Sequence, residues 1–456
     1  MNNIHHIKLN NGVNIFYYSN PLYTTSTGLI IINSGSYMED KGVNNGWSHF
    51  MEHMVFKKSE SWNTRDRMNK FSENAVEWNG FTSNGEIYFY FNCPNRYYDK
   101  TFDMYLDMIF HPLFDENEIN VERDVVIAEM KQSNNRDNLK CYRLFKNRAY
   151  GKKSQNTFFV NDTYGTIEDL QKCNSKSLRK FYDKYMDARN ITFIMTGPPR
   201  DYEKFIKKIE ALDLKQNKYD IVSKVNSRIK KAQKFNIKTG YSICTKEERE
   251  SALIYIWRDA PTAIEYEKNN LLQYITKAYQ VYIGNGPNSL LWNTLREEKG
   301  YLYSINMYGE INPYESCQYI VSDIDDTKIE PFIRDLFQTL DTFNERGISK
   351  DAFNRLIKGI KNEYYFAKND SLAMAEKIHL DFSLGIKPKT MKEVFDSFNF
   401  ITRKDLIDFH RKYLNSHYSY VSASCINSKY EDLKNALVKY NVVFECEEDK
   451  RKLLRS

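Results

Sequence analysis

Apolar residues recur along this chain with two periods, two and roughly three and a half, and the switches between them mark its elements. Ile7–Leu9 and Val13–Tyr18 flank Asn10-Asn11-Gly12, a hairpin signal. Gly28–Ser34 is a continuous apolar run of the kind that fills a central strand. From Gly46 to Phe56 the period changes. Trp47, Phe50, Met51, Met54, Val55 and Phe56 give a buried helix, with Gly46 and Ser48 suited to its N-terminus. A second helix is expected from about Thr64 to Glu73. Val76–Thr82 and Ile87–Cys93 read as a strand pair around Asn84-Gly85. Tyr97–Phe110 is amphipathic and stops at His111-Pro112. Helices then follow at Glu116–Gln132, Leu139–Tyr150, Ile167–Gln171 and Lys176–Tyr185, and Asn190–Thr196 is a closing strand. The pattern is α+β, with helices packed on a mostly antiparallel sheet.

A repeat follows. Leu178-x-x-Phe181-x-x-x-Tyr185 recurs as Leu406-x-x-Phe409-x-x-x-Tyr413, each copy leading into a short strand, at an offset of 228 residues in a chain of 456. The second half has a compatible order. It offers a strand at Ala252–Trp257, a long helix at Glu265–Tyr282 and a helix from Ser289 to Glu298. A strand pair at Leu302–Tyr308 and Gln318–Ile324 precedes helices from about Lys328 onward. Two homologous domains are therefore expected, 1–215 and 239–456, joined by a polar linker at 216–238 that holds the basic run Arg228–Lys234.

Composition narrows the classes. The chain is 41% hydrophobic and 28% charged, ordinary for a globular protein with proper cores. Its 34 Tyr and 28 Phe, beside many Asn, Lys and Ile, suggest an AT-rich genome. A net charge of +6 is too weak over this length to argue for nucleic acid. No segment approaches the ~18 consecutive apolar residues of a membrane span. The seven Cys are scattered, without a Cys-x-x-Cys, which fits a reducing compartment. No secretory or mitochondrial presequence is evident, so a cytoplasmic location is expected.

The chemistry lies in the first buried helix. His49-Phe50-Met51-Glu52-His53 is His-x-x-Glu-His, an inverted two-histidine zinc motif. Positions i and i+4 share a helix face, so His49 and His53 can present ring nitrogens to one metal. Glu52 stands beside them, within reach of a metal-bound water. A buried histidine is more often a hydrogen-bonded core residue, so the metal reading needs a third ligand. The Glu116–Gln132 helix offers two carboxylates, Glu122 and Glu129, seven residues apart on one face. The other reading of either is a solvated carboxylate. At the position offset from His49 the second half has Lys277-Ala278-Tyr279-Gln280-Val281, so the duplicate carries no zinc motif.

Together these residues resemble the pitrilysin-type (M16) metallopeptidases, the inverzincins. The match runs from His49-Phe50-Met51-Glu52-His53-Met54-Val55-Phe56-Lys57 through Glu122-Arg123-Asp124-Val125-Val126-Ile127-Ala128-Glu129. The resemblance makes Glu129, 76 residues after His53, the third ligand of one Zn2+ per chain, and Glu122 a supporting acid. His-His-Glu with an open fourth position is what zinc catalysis requires. Asn79-Gly80-Phe81-Thr82-Ser83 is similar to the family's substrate-binding strand, with Gly80 where Ala is usual. Leu295-Arg296-Glu297-Glu298-Lys299-Gly300-Tyr301-Leu302-Tyr303 resembles the segment whose Arg and Tyr reach the site from the second domain, which points to Arg296 and Tyr303. Without the resemblance they read as a member of an ordinary surface ion pair and a core aromatic. The resemblance implies a metal-dependent endopeptidase with Glu52 as general base, enclosing peptides or unfolded segments in a chamber. Because the family's chamber commonly needs four half-units, a homodimer or a heterodimer with a related subunit is expected. The alternatives are a subunit active only beside such a partner, and a non-catalytic structural subunit.

Overall fold

The computed structural model describes residues 4–149, 161–217, 223–224, 226–227, 237, 239–248, 251–311, 316–414 and 419–440. Arg228–Lys234 and most of the expected linker lie outside the described residues, as does Tyr150. The chain folds as two compact units, each drawn from three segments. The first comprises Met1–Lys131, Asn161–Lys231 and Glu363–Val394, and the second Gln132–Val160, Ala232–Asn362 and Phe395–Ser456.

The first unit holds a six-stranded sheet: β1 (His5–Lys8), β2 (Asn14–Ser19), β3 (Thr25–Ile32), β4 (Glu77–Thr82), β5 (Ile87–Pro94) and β6 (Ile191–Gly197), in the order β1-β2-β6-β3-β5-β4. All pairs are antiparallel except β2 with β6. β5 shows why the sheet is covered on both sides. Ile87, Phe89 and Phe91 are buried while Tyr88 and Tyr90 are half-buried, the alternation of a pleated strand. Phe89 meets Phe56, just past the Trp47–Val55 helix, at 5.6 Å, and Phe91 meets Tyr105 of the Tyr98–Phe110 helix at 4.8 Å. On the opposite face, Phe16, Leu29, Ile31 and Ile194 pack against Met374, Ala375 and Ile378 of the Ser371–Ser383 helix. That helix comes from far along the chain, and Asp370 caps its N-terminus.

The second unit holds β7 (Gly240–Lys246), β8 (Ser251–Asp259), β9 (Leu302–Ile311), β10 (Ser316–Asp325) and β11 (Tyr420–Ile426), in the order β7-β11-β8-β10-β9. β7 and β11 are its parallel pair. Setting β1 aside, the two sheets have one topology: first, last, second, fourth and third strand, with the parallel pair in the same place. The helices that carry the sequence repeat, Ser175–Tyr185 and Arg403–Tyr413, precede the equivalent strands β6 and β11. Leu178, Phe181 and Tyr185 are buried, as are Leu406, Phe409 and Tyr413. The fold is α+β, two units of sheet and helix as the pattern implies. The Asp137–Ala149 helix, from the first half of the chain, packs on the second sheet, where Phe145 stacks on Trp257 at 4.0 Å.

Three local expectations differ. The long helix expected at Glu265–Tyr282 is two helices, Ala263–Lys268 and Leu272–Gly284, because Asn269 takes an extended conformation between them. The expected Ser289–Glu298 helix is present but changes type, α-helical at Leu290–Trp292 and widening to a π-helical turn at Asn293–Glu298. β7 has no counterpart in the sequence reading. It is an edge strand, half-buried along nearly its whole length, so its residues do not alternate.

Candidate metal centre

The Trp47–Val55 helix is fixed at both ends by buried charge. At its start Gly46 adopts φ 93°, and an added Cβ would stand 2.6 Å from the Tyr164 carbonyl oxygen. Only glycine fits there. The N-terminal N–H groups are taken up by Glu39, which is 1% exposed. Its Oε2 accepts from Gly46 N (2.7 Å) and Asn45 Nδ2 (3.1 Å), and its Oε1 from Ser48 N (2.7 Å). Burial pushes the Glu39 carboxyl up to about 7 despite those donors. At the other end, fully buried Arg67 donates to the carbonyls of Phe56 (2.6 Å) and Lys57 and to Ser59 Oγ (2.9 Å). Acid at the N-terminus and guanidinium at the C-terminus both complement the helix dipole.

Between these clamps, His49 and His53 turn toward Glu129 of the Glu116–Asn134 helix. The two Nε2 atoms are 3.3 Å apart, and Glu129 Oε2 lies 3.9 Å from His49 Nε2 and 3.6 Å from His53 Nε2. The ligand atoms of all three residues fall within 4.8 Å of one another, the one such group of His, Cys, Asp or Glu among the described residues. Four ligands ~2.1 Å from a tetrahedral zinc stand roughly 3.3–3.4 Å apart, so this donor set fits that ion after a small inward movement of the carboxylate. The tautomer fits as well. His53 Nδ1–H donates to Glu122 Oε1 at 2.9 Å, which leaves the Nε2 lone pair facing the centre. Glu122 is bound on its other oxygen by Lys57 at 2.5 Å. Burial opposes its charge, but the bonds from His53 and Lys57 outweigh it and hold the carboxyl below its ordinary value. Glu122 therefore orients a ligand, and Glu129 is the carboxylate that converges with both histidines.

Glu52 is buried beside this group. Thr82 Oγ1 donates to its Oε2 at 2.6 Å, and burial raises its carboxyl above the ordinary range. Burial pushes His49 down to about 3, with the neighbouring His53 adding to the effect, so its ring is neutral, as a metal ligand must be. His53 is also buried, but Glu122, Glu52 and Glu129 outweigh that and raise it.

Asn79, Gly80 and Phe81 lie on β4, which pairs only with β5 and so forms an edge of the sheet. Gly80 N–H donates to Asn79 Oδ1 (2.9 Å). A Cβ at Gly80 would meet Phe56 at 2.7 Å and Glu52 Oε1 at 2.8 Å, so the glycine is what lets the strand approach the acid. Phe81 points away from the core and is 52% exposed. In the second unit, Arg296 sits in the π-helical turn and Tyr303 on β9, with the guanidinium carbon 5.0 Å from the Tyr303 ring centre.

Sequence reasoning missed Glu39, Arg67 and the role of Thr82. Glu39 and Arg67 serve mainly main-chain atoms, which leave no side-chain pattern to read. The close approach of Gly46 to Gly165, both at positive φ and each set to clash with the other's segment if given a Cβ, likewise shows only in the fold.

A helix-borne His-x-x-Glu-His converging with a distant Glu, in a two-unit α+β chain of duplicated topology, defines a metallopeptidase-like protein of the inverted-motif class. Family models place it: "Insulinase (Peptidase family M16)" matches residues 14–160 and "Peptidase M16 inactive domain" matches residues 172–360, and the chain belongs to peptidase family M16. It is 25% identical over 390 residues to the uncharacterized zinc protease YmxG of Bacillus subtilis, covering 85% of this chain and 90% of that one. It is also 25% identical over 189 residues to the mouse mitochondrial-processing peptidase subunit beta, covering 41% of this chain and 37% of that one. The crystal structure of a protease from Helicobacter pylori has the same fold, with a TM-score of 0.79 at 16% identity over 93% of this chain and 99% of that one.

Proposed function

We propose that this protein is a zinc-dependent endopeptidase that hydrolyses extended peptides or unfolded precursor segments. The observation that supports it is the convergence of His49, His53 and Glu129, with Glu52 pinned beside them. Zinc held by those three residues supplies Lewis-acid polarisation of water and of the scissile carbonyl, one ion per chain. Glu52 accepts the proton of the attacking water and returns it to the leaving amine. Thr82 holds one Glu52 oxygen and leaves the other for that transfer. Peptide adds as a further strand along β4 at Asn79, Gly80 and Phe81, with main-chain hydrogen bonds giving affinity. Tyr303 donates to the developing oxyanion, and Arg296 holds the peptide main chain or its C-terminal side. In this reading the 1–215 half of the chain carries the catalytic residues and 216–238 links it to the metal-free 239–456 half, which contributes Arg296 and Tyr303, while each half lends helices to the other's unit. The scattered cysteines, with no Cys-x-x-Cys among them, support a reducing, cytoplasmic setting.

The relative named as a processing-peptidase subunit favours a second form of the proposal, in which the chain works as a dimer with itself or with a related, metal-free subunit. The test is zinc stoichiometry together with cleavage of a quenched, unstructured peptide by the wild type and Glu52→Gln. One zinc in both proteins, with chelator-sensitive cleavage in the wild type alone, is expected. Zinc without cleavage in either points to the missing partner. No zinc in metal-replete protein overturns the proposal.

A further inference from the structure

Arg296 is held in an unusual way. Its guanidinium carbon lies 4.1 Å from the centre of the Trp292 ring and 5.0 Å from that of Tyr303. The turn that makes this possible is π-helical, Asn293–Glu298, and such widened turns recur at functional sites. Buried Leu291 and Leu295 anchor it on the core side. Gly300 N–H and Tyr301 N–H close it by donating to the Arg296 (2.9 Å) and Leu295 (3.0 Å) carbonyls. The Trp292 indole N–H donates to Glu297 Oε1 at 2.9 Å. That bond sets the ring's orientation and ties up the carboxylate nearest in sequence. Among the described residues no carboxylate pairs with Arg296, although Glu297 and Glu298 follow it directly. Tyr303 is 82% exposed. A tyrosine that open gains little from burial, and its ring contact is with the arginine.

We infer that Trp292 is a positioning residue: with Tyr303 it clamps the Arg296 guanidinium between aromatic rings, so that its in-plane N–H edge is offered to a peptide carbonyl or terminal carboxylate. The inference rests on the proposed peptidase function. Its physical basis is pre-organisation. A free arginine side chain loses rotamer freedom when it binds, whereas a ring-held guanidinium has already done so. The planar fork with both N–H groups in plane matches a carboxylate or a main-chain carbonyl, and no described carboxylate competes for it.

Two measurements on the full-length, zinc-loaded chain test this. The first is the rate at which phenylglyoxal modifies Arg296, read by peptide mapping and mass spectrometry. Trp292→Leu should raise that rate about three- to fivefold, while Trp292→Phe, which keeps a ring, should stay within about twofold of the parent. The second is binding of a fluorescent unstructured peptide to the Glu52→Gln protein, alone and with each Trp292 change. Kd should weaken about three- to tenfold for Leu and recover for Phe, with zinc content and thermal midpoint unchanged. An unchanged modification rate in Trp292→Leu, a Phe variant no better than Leu, or an affinity unmoved by Leu overturns the inference. Full cleavage by Glu52→Gln would defeat the peptidase mechanism instead, and the modification rates would still decide whether the clamp exists.

Discussion

Glu39→Ala removes the acceptor for three donors at the start of the metal-bearing helix: Gly46 N, Ser48 N and Asn45 Nδ2, at 2.7, 2.7 and 3.1 Å. All three lie in buried surroundings, and a buried donor left without a partner costs about 2 kcal/mol, hence about 6 kcal/mol in total. Against this stands relief from burying a charge. The Glu39 carboxyl is raised to about 7, against about 4.3 in an unfolded chain, so its ionised form is disfavoured by about 4 kcal/mol at pH 8. The balance at pH 8 is a loss of about 2 kcal/mol, or roughly 4–8 °C in the midpoint of the unit carrying the helix. The pH dependence follows from the sign of the shift. A carboxyl raised in the folded state binds protons more readily there than when unfolded, so its contribution to stability falls as pH rises from about 4.3 to about 7. The gap between wild type and Glu39→Ala should therefore be wider at pH 5.5 than at pH 8, by about 2 kcal/mol. Calorimetry of chelator-treated protein at the two pH values measures both quantities. A loss below about 1 kcal/mol at pH 8, or a gap that narrows on acidification, would refute the reasoning.

Two further outcomes are expected. Thr82→Val keeps the shape of the side chain but deletes the 2.6 Å bond to Glu52; kcat should fall about tenfold with zinc content unchanged, and a variant with wild-type turnover would remove Thr82 from the site. In the second unit, His410 is 2% exposed, bonded to the Tyr279 hydroxyl at 2.6 Å, and lowered to about 4 by burial and by Arg258 and Arg411. The fold favours its neutral form, so its contribution is complete above about pH 6.5 and lost as pH falls toward 4, a span of about 3 kcal/mol. Denaturant titrations at pH 7 and 4.5 should show His410→Gln losing less stability on acidification than the wild type.

What the sequence disclosed depended on how local the cause was. The Trp47–Val55 helix and the strands β2 to β6 announce themselves because apolar spacing and period are local properties. The duplicated topology surfaced through one buried Leu–Phe–Tyr face that both copies need. Spacing alone left Glu122 and Glu129 as alternatives on one helical face; their separation into an orienting acid and a converging one comes from the depth at which each meets the histidines. The break at Asn269 escaped notice although the polar, exposed run Glu267-Lys268-Asn269-Asn270 marks it, and the π-helical turn carrying Arg296 did so because apolar Leu291 and Leu295 keep an ordinary helical spacing through it. The Glu39 and Arg67 clamps were invisible for another reason, since their partners are mostly peptide groups brought near by the fold.

The exchange of helices has a consequence for the order of synthesis. In the first unit, Phe16, Leu29, Ile31 and Ile194 are covered by residues near 374–378 of a 456-residue chain. A nascent polypeptide that has already emerged with its histidine motif, its distant glutamate and all six strands of that sheet still presents an open apolar face. That face closes only when most of the second unit's sequence has also left the ribosome. A fragment truncated after the first half would carry every proposed zinc ligand and yet be a sticky, half-covered sheet, so the two halves of this gene product are bound to one translation event rather than separable as modules.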